Sequence, residues 1–214
     1  SGVHEIEGQL TVGTSIGFDS SYTYDPADDK GSAFTGTNGM DDRYVLGNRY
    51  NAGHEAVGQT IYSVIVPLFV GAGSPTGTIE VFAGNGDYYS TPDIAVAHSF
   101  GTMLASTLTT TQTDYTFTST TGHTLGADDV IAVRLNSTEE TDNHSGSIYI
   151  LASGNDVNLS NTDMVIVPDS SNSPTYYNDK VQNIILIGGE GEVTTNAQAT
   201  RVGVELDGTF YPSD

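Results

Sequence analysis

The sequence predicts an all-β fold: an antiparallel β-sandwich or jelly roll of about ten strands, with a strand extension at each terminus. Three observations carry this. β-branched and aromatic runs recur along the chain, separated by turn residues about every eight to fifteen positions. Several of these runs alternate apolar and polar side chains, the period of a half-buried strand. The composition is rich in Thr, Ser, Gly, Asn and Asp, which disfavours long helices and favours strands joined by polar turns. At 214 residues and 36% hydrophobic, the chain suits one large β domain with a thin core.

The elements follow in order. His4 to Val12 alternates, with Ile6, Leu10 and Val12 on one face and Glu5, Glu7 and Gln9 on the other. Gly13 to Gly53 is dominated by Gly, Asp, Tyr and Ser and reads as a long decorated loop with one or two short strands. Ile61 to Val70 is a β-branched apolar run, a core strand with Pro67 near its end. Thr78 to Ala83 follows the turn Gly73-Ser74-Pro75-Thr76-Gly77, where Pro75 fixes φ and Gly77 can take φ > 0. Ala95 to Leu104 is a mixed segment inside a window, Thr91 to Leu108, that would also allow a short helical turn. Thr113 to Thr118, Val130 to Leu135, Ser147 to Ala152, Met164 to Val167 and Val181 to Ile187 read as further strands. Arg201 to Leu206 alternates, and Thr209 to Tyr211 can pair with it across the hairpin signal Asp207-Gly208. The expected organisation is an N-terminal strand and loop at 1–58, a jelly-roll domain at 59–190 and a C-terminal strand extension at 191–214, forming one compact domain together.

Particular segments carry a resemblance. Ile61-Tyr62-Ser63-Val64, Gly73-Ser74-Pro75-Thr76-Gly77-Thr78, Ser106-Thr107-Leu108-Thr109-Thr110, Thr113-Asp114-Tyr115-Thr116-Phe117-Thr118, Gly122-His123-Thr124-Leu125 and Asp129-Val130-Ile131-Ala132-Val133 occur in this order. Residues 61 to about 188 thereby resemble a jelly-roll module of exported archaeal surface proteins, particularly those of ammonia oxidisers. The resemblance implies a jelly-roll fold and an extracellular or cell-surface location. Its motifs specify turns and strand alternation, so it implies no catalytic residue.

Charge excludes several partners. Six basic residues stand against 27 acidic ones, a formal net charge of −21. Nucleic-acid binding needs cations to displace counterions from phosphates, and an anionic membrane surface repels such a chain as well. No run approaches the roughly 18 apolar residues of a membrane-spanning helix. The absence of cysteine excludes disulfides and thiolate zinc sites. The chain opens on Ser1-Gly2 without Met, which fits either a cleaved leader or a residual tag.

The sequence does not point to an enzyme. Five histidines and many serines are present, but no Gly-x-Ser-x-Gly elbow. No acid stands in an apolar run that would raise its pKa for glycoside hydrolysis, and the Gly188–Gly191 stretch lacks a phosphate-binding lysine. No cofactor is required. Ca²⁺ is the one candidate metal: Asp25, Asp28 and Asp29 stand close together and Asp41 and Asp42 follow, carboxylates on a Gly-rich loop of the kind that wraps a hard cation. Acidic loops are also commonly just solvated faces. Three acceptor sequons for glycans begin at Asn136, Asn143 and Asn158.

The terminal alternating strands suggest assembly. Val3, Ile6, Leu10 and Val12 mark a segment able to leave its own subunit and complete the sheet of a neighbour, a recognised mode of strand addition; Val202 to Leu206 could do the same from the other end. The expected function is therefore an extracellular structural subunit, a homopolymer or pilus-like filament. The alternatives are a carbohydrate- or surface-binding jelly roll, using Tyr22-Thr23-Tyr24, Tyr88-Tyr89 and Tyr176-Tyr177, and a viral coat or appendage protein.

Overall fold

The structure, a computed structural model, describes residues 22–30, 34, 36–40, 45–84, 94–136, 146–153, 159–167, 174–189, 204–206 and 209–211. The chain divides into two units, residues 19–190 and residues 1–18 with 191–214. The larger unit is the antiparallel sandwich the sequence predicts. Its elements are β1 (Tyr22–Tyr24), α1 (Pro26–Lys30), β2 (Gly36–Gly39), β3 (Val45–Tyr50), β4 (Thr60–Gly73), β5 (Thr78–Gly84), β6 (Val96–Leu104), η1 (Ala105–Thr107), β7 (Thr113–Thr124), β8 (Asp129–Asn136), β9 (Gly146–Ala152), β10 (Thr162–Val167), β11 (Thr175–Tyr177) and β12 (Ile185–Gly189). In the smaller unit, β13 (Val204–Leu206) and β14 (Thr209–Tyr211) form a two-stranded sheet of their own, paired across Asp207-Gly208 as expected.

The first sheet is built around β4. One edge of β4 carries β7; the other carries β12 against Thr60–Ile65 and β9 against Leu68–Gly73. Pro67, with no N–H to donate, falls in the gap between those two partners, which explains how proline survives inside a central strand. β1 and β2 extend this sheet beyond β12 and β9. The second sheet runs β11-β10-β3-β8-β5-β6. Gly77, at the end of the predicted turn, takes φ 98° as that turn requires.

The inner faces meet in one apolar core that includes Leu46, Tyr50, Val64, Val66, Leu68, Ile79, Val81, Ile131, Val133, Ile148, Ile150 and Leu186. A second cluster, Val45, Phe82, Ile94, Val130, Ala132, Val165 and Val167, lies on the other face of the second sheet. Strands β8 and β10 are thus buried on both faces, and for that reason their sequences run apolar without alternation.

One departure from the sequence reading is large. Gly13 to Gly53, expected to be mainly a decorated loop, contributes β1, α1, β2 and β3, and β3 is an interior strand between β10 and β8. Strand β7 is also longer than expected and β12 starts later, because Val181–Ile184 is irregular apart from one bridge from Gln182 to Ala152. The window around Thr91–Leu108 resolves into strand β6 followed by a single 3₁₀ turn.

A half-buried ion pair braces the second sheet. Arg134 on β8 donates to Glu80 Oε2 on β5 at 2.8 Å and lies 4.8 Å from the centre of the Phe82 ring. Burial works against the Glu80 charge, but the hydrogen bond and charge of Arg134, with hydrogen bonds from Ser99 and Asn136, hold its pKa below the usual carboxylate value. Replacing Arg134 by Met is expected to destabilise the sandwich by about 3 kcal/mol, since Glu80 keeps its charge without its partner. The double variant E80Q/R134M should recover most of that loss. Urea unfolding of the set checks it, and equal stability of the single and double variants would rule the explanation out.

Candidate functional site

Two groupings of chemistry-bearing side chains stand out. The first lies at the β1 end of the sandwich. The rings of Tyr24, Tyr50 and His54 pack edge to face, with His54 4.6 Å from Tyr24 and 4.9 Å from Tyr50 between centroids. His54 Nδ1 accepts the Ala56 backbone N–H at 3.0 Å, so the neutral imidazole carries its proton on Nε2. Burial lowers the His54 pKa to about 4, against the opposing pull of the Asp29 charge. Burial also raises the Tyr50 and Tyr24 phenols well above their ordinary value. These groups are held neutral by packing, and the cluster acts as a polar patch of core.

The second grouping lies where β6, the end strand of one sheet, approaches β7, the end strand of the other. His98 on β6 and His123 on β7 stack with centroids 5.8 Å apart. His123 Nε2 sits 2.9 Å from Asp129 Oδ2, and that oxygen also accepts the Gly126 backbone N–H at 2.7 Å, which fixes the turn into β8. Burial, and then the neighbouring His123, push the His98 pKa down. Hydroxyl pairs tie β7 to β4: Ser63 with Thr118 at 2.9 Å and Thr60 with Thr124 at 3.0 Å. Beyond the hydroxyls, β6 exposes Val96 (39%) and Leu104 (59%). The arrangement offers two long strand edges side by side.

The residues singled out in the sequence fall as follows. Asp25 Oδ1 accepts the Ala27 N–H at 2.8 Å and so caps α1, while Asp29 Oδ2 accepts the Tyr24 hydroxyl at 3.4 Å. Asp28 lies exposed on the same short helix. Asp41 and Asp42 lie outside the described residues. Among the described residues no three His, Asp or Glu side chains gather in a set able to hold a metal ion. Asn136 is exposed at the end of β8 and donates to Glu80 Oε2 at 3.4 Å; Asn143 and Asn158 lie outside the described residues. So do Val3, Ile6, Leu10 and Val12. Tyr24, read as a surface contact, is instead core at 3% exposure, because β1 pairs with β12 and turns that ring inward. Tyr176 stacks under Arg49 and Tyr177 under Lys180, and Tyr88-Tyr89 lie outside the described residues.

The sequence reading missed the His98–His123–Asp129 contact and the Tyr24–Tyr50–His54 cluster. The first joins the consecutive strands β6, β7 and β8 and the second joins β1 to β3 and the turn after it, and the one signal in the sequence would have been the turn Gly126–Asp129 placing His123 near its carboxylate. No protein-family model matches the chain, and comparisons with curated proteins and with solved structures return no match. No helix among the described residues is long and apolar enough to cross a membrane.

Proposed function

We propose that the chain is a structural subunit of an extracellular, pilus-like filament, joined to its neighbours by a donated β-strand. The observation that carries this reading is the pair of long edge strands that the sandwich presents. Among the described residues β6, with nine residues, and β7, with twelve, are the end strands of their sheets. Long unpaired edges template the addition of further strands, and the alternating segment at Val3–Val12 has the pattern such a strand needs. A head-to-tail contact of this kind does not close, and so grows into a fibre. The export half of the reading draws on the resemblance of residues 61–188 to archaeal surface modules.

A charge of −21 makes each subunit repel the next. Salt screens that repulsion over about 10 Å at 0.1 M and about 3 Å at 1 M, and bound Ca²⁺ would neutralise part of it. Electron microscopy of the purified chain is expected to show fibres that lengthen with added salt or Ca²⁺, and deletion of residues 1–12 should leave soluble monomers. A monodisperse monomer at every salt concentration would refute the filament. A surface-binding module is the second reading, favoured by Tyr177, which remains 37% exposed beside Lys180; glycan-array binding lost in Tyr177→Ala would support it.

A further inference from the structure

We infer that the edge of β6 is the surface that receives the neighbour, with residues 3–12 of a second copy pairing along Val96–Leu104. This rests on the filament reading and names its contact.

Charge is the first argument. From Ile94 to Ala127 the chain contains one Asp, Glu, Lys or Arg, namely Asp114, whereas the chain average of 15% charged residues would place about five there. That stretch contains both long edges of the sandwich. Proteins ordinarily blunt such edges with charged side chains, lysine above all, to stop strands from adding. Here the charge is withheld at the position where it would protect, in a chain that is otherwise densely acidic.

Exposed apolar surface is the second. Among the described residues three large hydrophobic side chains are exposed, Val96, Leu104 and Tyr177, and two of them mark the two ends of β6. A strand laid along β6 would cover both. The third argument is length. β1 and β11 have three residues and β2 has four, too short for a ten-residue partner, whereas β6 has nine.

Charge also separates β6 from β7. The donor carries Glu5 and Glu7, and like charges facing one another across a strand pair are destabilising. Strand β7 presents Asp114. β6 presents no carboxylate, and its one titratable group, His98, is turned against His123 of β7, which in turn is held by Asp129 of β8. The uncharged edge therefore accepts an acidic strand at least cost, and the ladder of backbone hydrogen bonds supplies the attraction.

The chain contains no cysteine, so single cysteines map the contact directly in the full-length protein. One variant carries Ile6→Cys; the others carry Val96→Cys, Thr102→Cys or Leu104→Cys on β6, and Thr116→Cys or Thr118→Cys on β7. Mixed pairwise and oxidised, Ile6→Cys is expected to couple to β6 cysteines several-fold more than to β7 cysteines, since a disulfide needs Cα atoms about 4.4–6.8 Å apart. In parallel, Leu104→Glu, at an exposed position, should raise the concentration needed for fibre formation about tenfold with the monomer melting temperature unchanged. Fibres that persist while coupling goes to β7, or to nothing, overturn this inference and leave the filament standing. Coupling only when both cysteines occupy one chain places the strand on its own subunit and overturns it too. A chain that never assembles removes the filament reading, and this contact with it.

Discussion

Replacing Asn48 by Leu is expected to cost about 2–4 kcal/mol, a large share of the 5–15 kcal/mol that holds a typical domain together. Asn48 sits in the middle of β3, fully buried, and its carboxamide spans the two sheets. Its Nδ2 donates to the Gln182 carbonyl at 2.9 Å, and its Oδ1 accepts the Gln182 N–H at 2.8 Å. Gln182 itself bridges to Ala152 of β9, so the pair ties an interior strand of the second sheet to the first. Leucine has similar size but removes both bonds: the Gln182 N–H is left buried without a partner, at about 1–3 kcal/mol, while the Gln182 carbonyl keeps the Ile184 N–H at 2.9 Å and loses only its second hydrogen bond, about 1 kcal/mol. The comparator is Asn38→Leu. Asn38 is half-buried and, among the described residues, its side chain donates to the Met164 thioether at 3.1 Å, a weak acceptor, so the same substitution there should cost less than about 1 kcal/mol. Thermal unfolding should separate the two variants by about 6 °C. Equal melting temperatures would mean that the cross-sheet bonds contribute nothing net.

The same strand shows why part of the fold was legible in the sequence and part was not. Core strands such as β4 and β8 announce themselves because burial selects β-branched residues, and hairpin turns announce themselves because φ > 0 selects glycine. Val45-Leu46-Gly47-Asn48-Arg49-Tyr50 does neither: Gly47 and Asn48 are poor strand formers and Arg49 is a charge in an interior strand. Each is explained only by a partner far along the chain. Gly47 faces Ala132 so closely that a Cβ on it would lie 2.5 Å from the Ala132 Cβ. Asn48 binds Gln182, and Arg49 pairs with Asp163 on β10, which also accepts from Asn51 at 3.0 Å. Tertiary contacts override local preference at three consecutive positions, and a local reading returns a loop. The candidate interface divides in the same way. The charge-poor stretch from Ile94 to Ala127 is written in the sequence, but that it forms two adjacent sheet edges depends on the pairing of β6 with β5 and of β7 with β4.

Acid should weaken the sandwich well before its carboxylates titrate. His54 has an ordinary pKa of 6.5 and a folded-state pKa of about 4, lowered by burial. A group whose folded pKa is depressed takes up its proton more readily in the unfolded chain. Its contribution is therefore complete above pH 6.5, shrinks as pH falls, and is lost below about pH 4. The amount is about 2 kcal/mol by pH 5 and about 3 kcal/mol at pH 4. Geometry gives the same sign independently: protonating Nδ1 destroys the acceptor that holds the Ala56 N–H and places a charge against the Tyr24 and Tyr50 rings inside the core. His98, also lowered by burial and by His123, adds in the same direction at the β6–β7 rim. His54→Phe keeps the aromatic contacts and loses the one hydrogen bond, so it should be about 1 kcal/mol less stable than the parent at pH 7.5. At pH 5 the order should reverse, because the variant has no proton to take up at that site. Urea unfolding at the two pH values reads this directly. Parallel pH profiles for parent and variant would show that the imidazole is not what acid attacks. A subunit whose ends bind neighbours through an uncharged rim would then feel acid twice, once through His54 in its core and once through His98 at the edge proposed to receive the next strand.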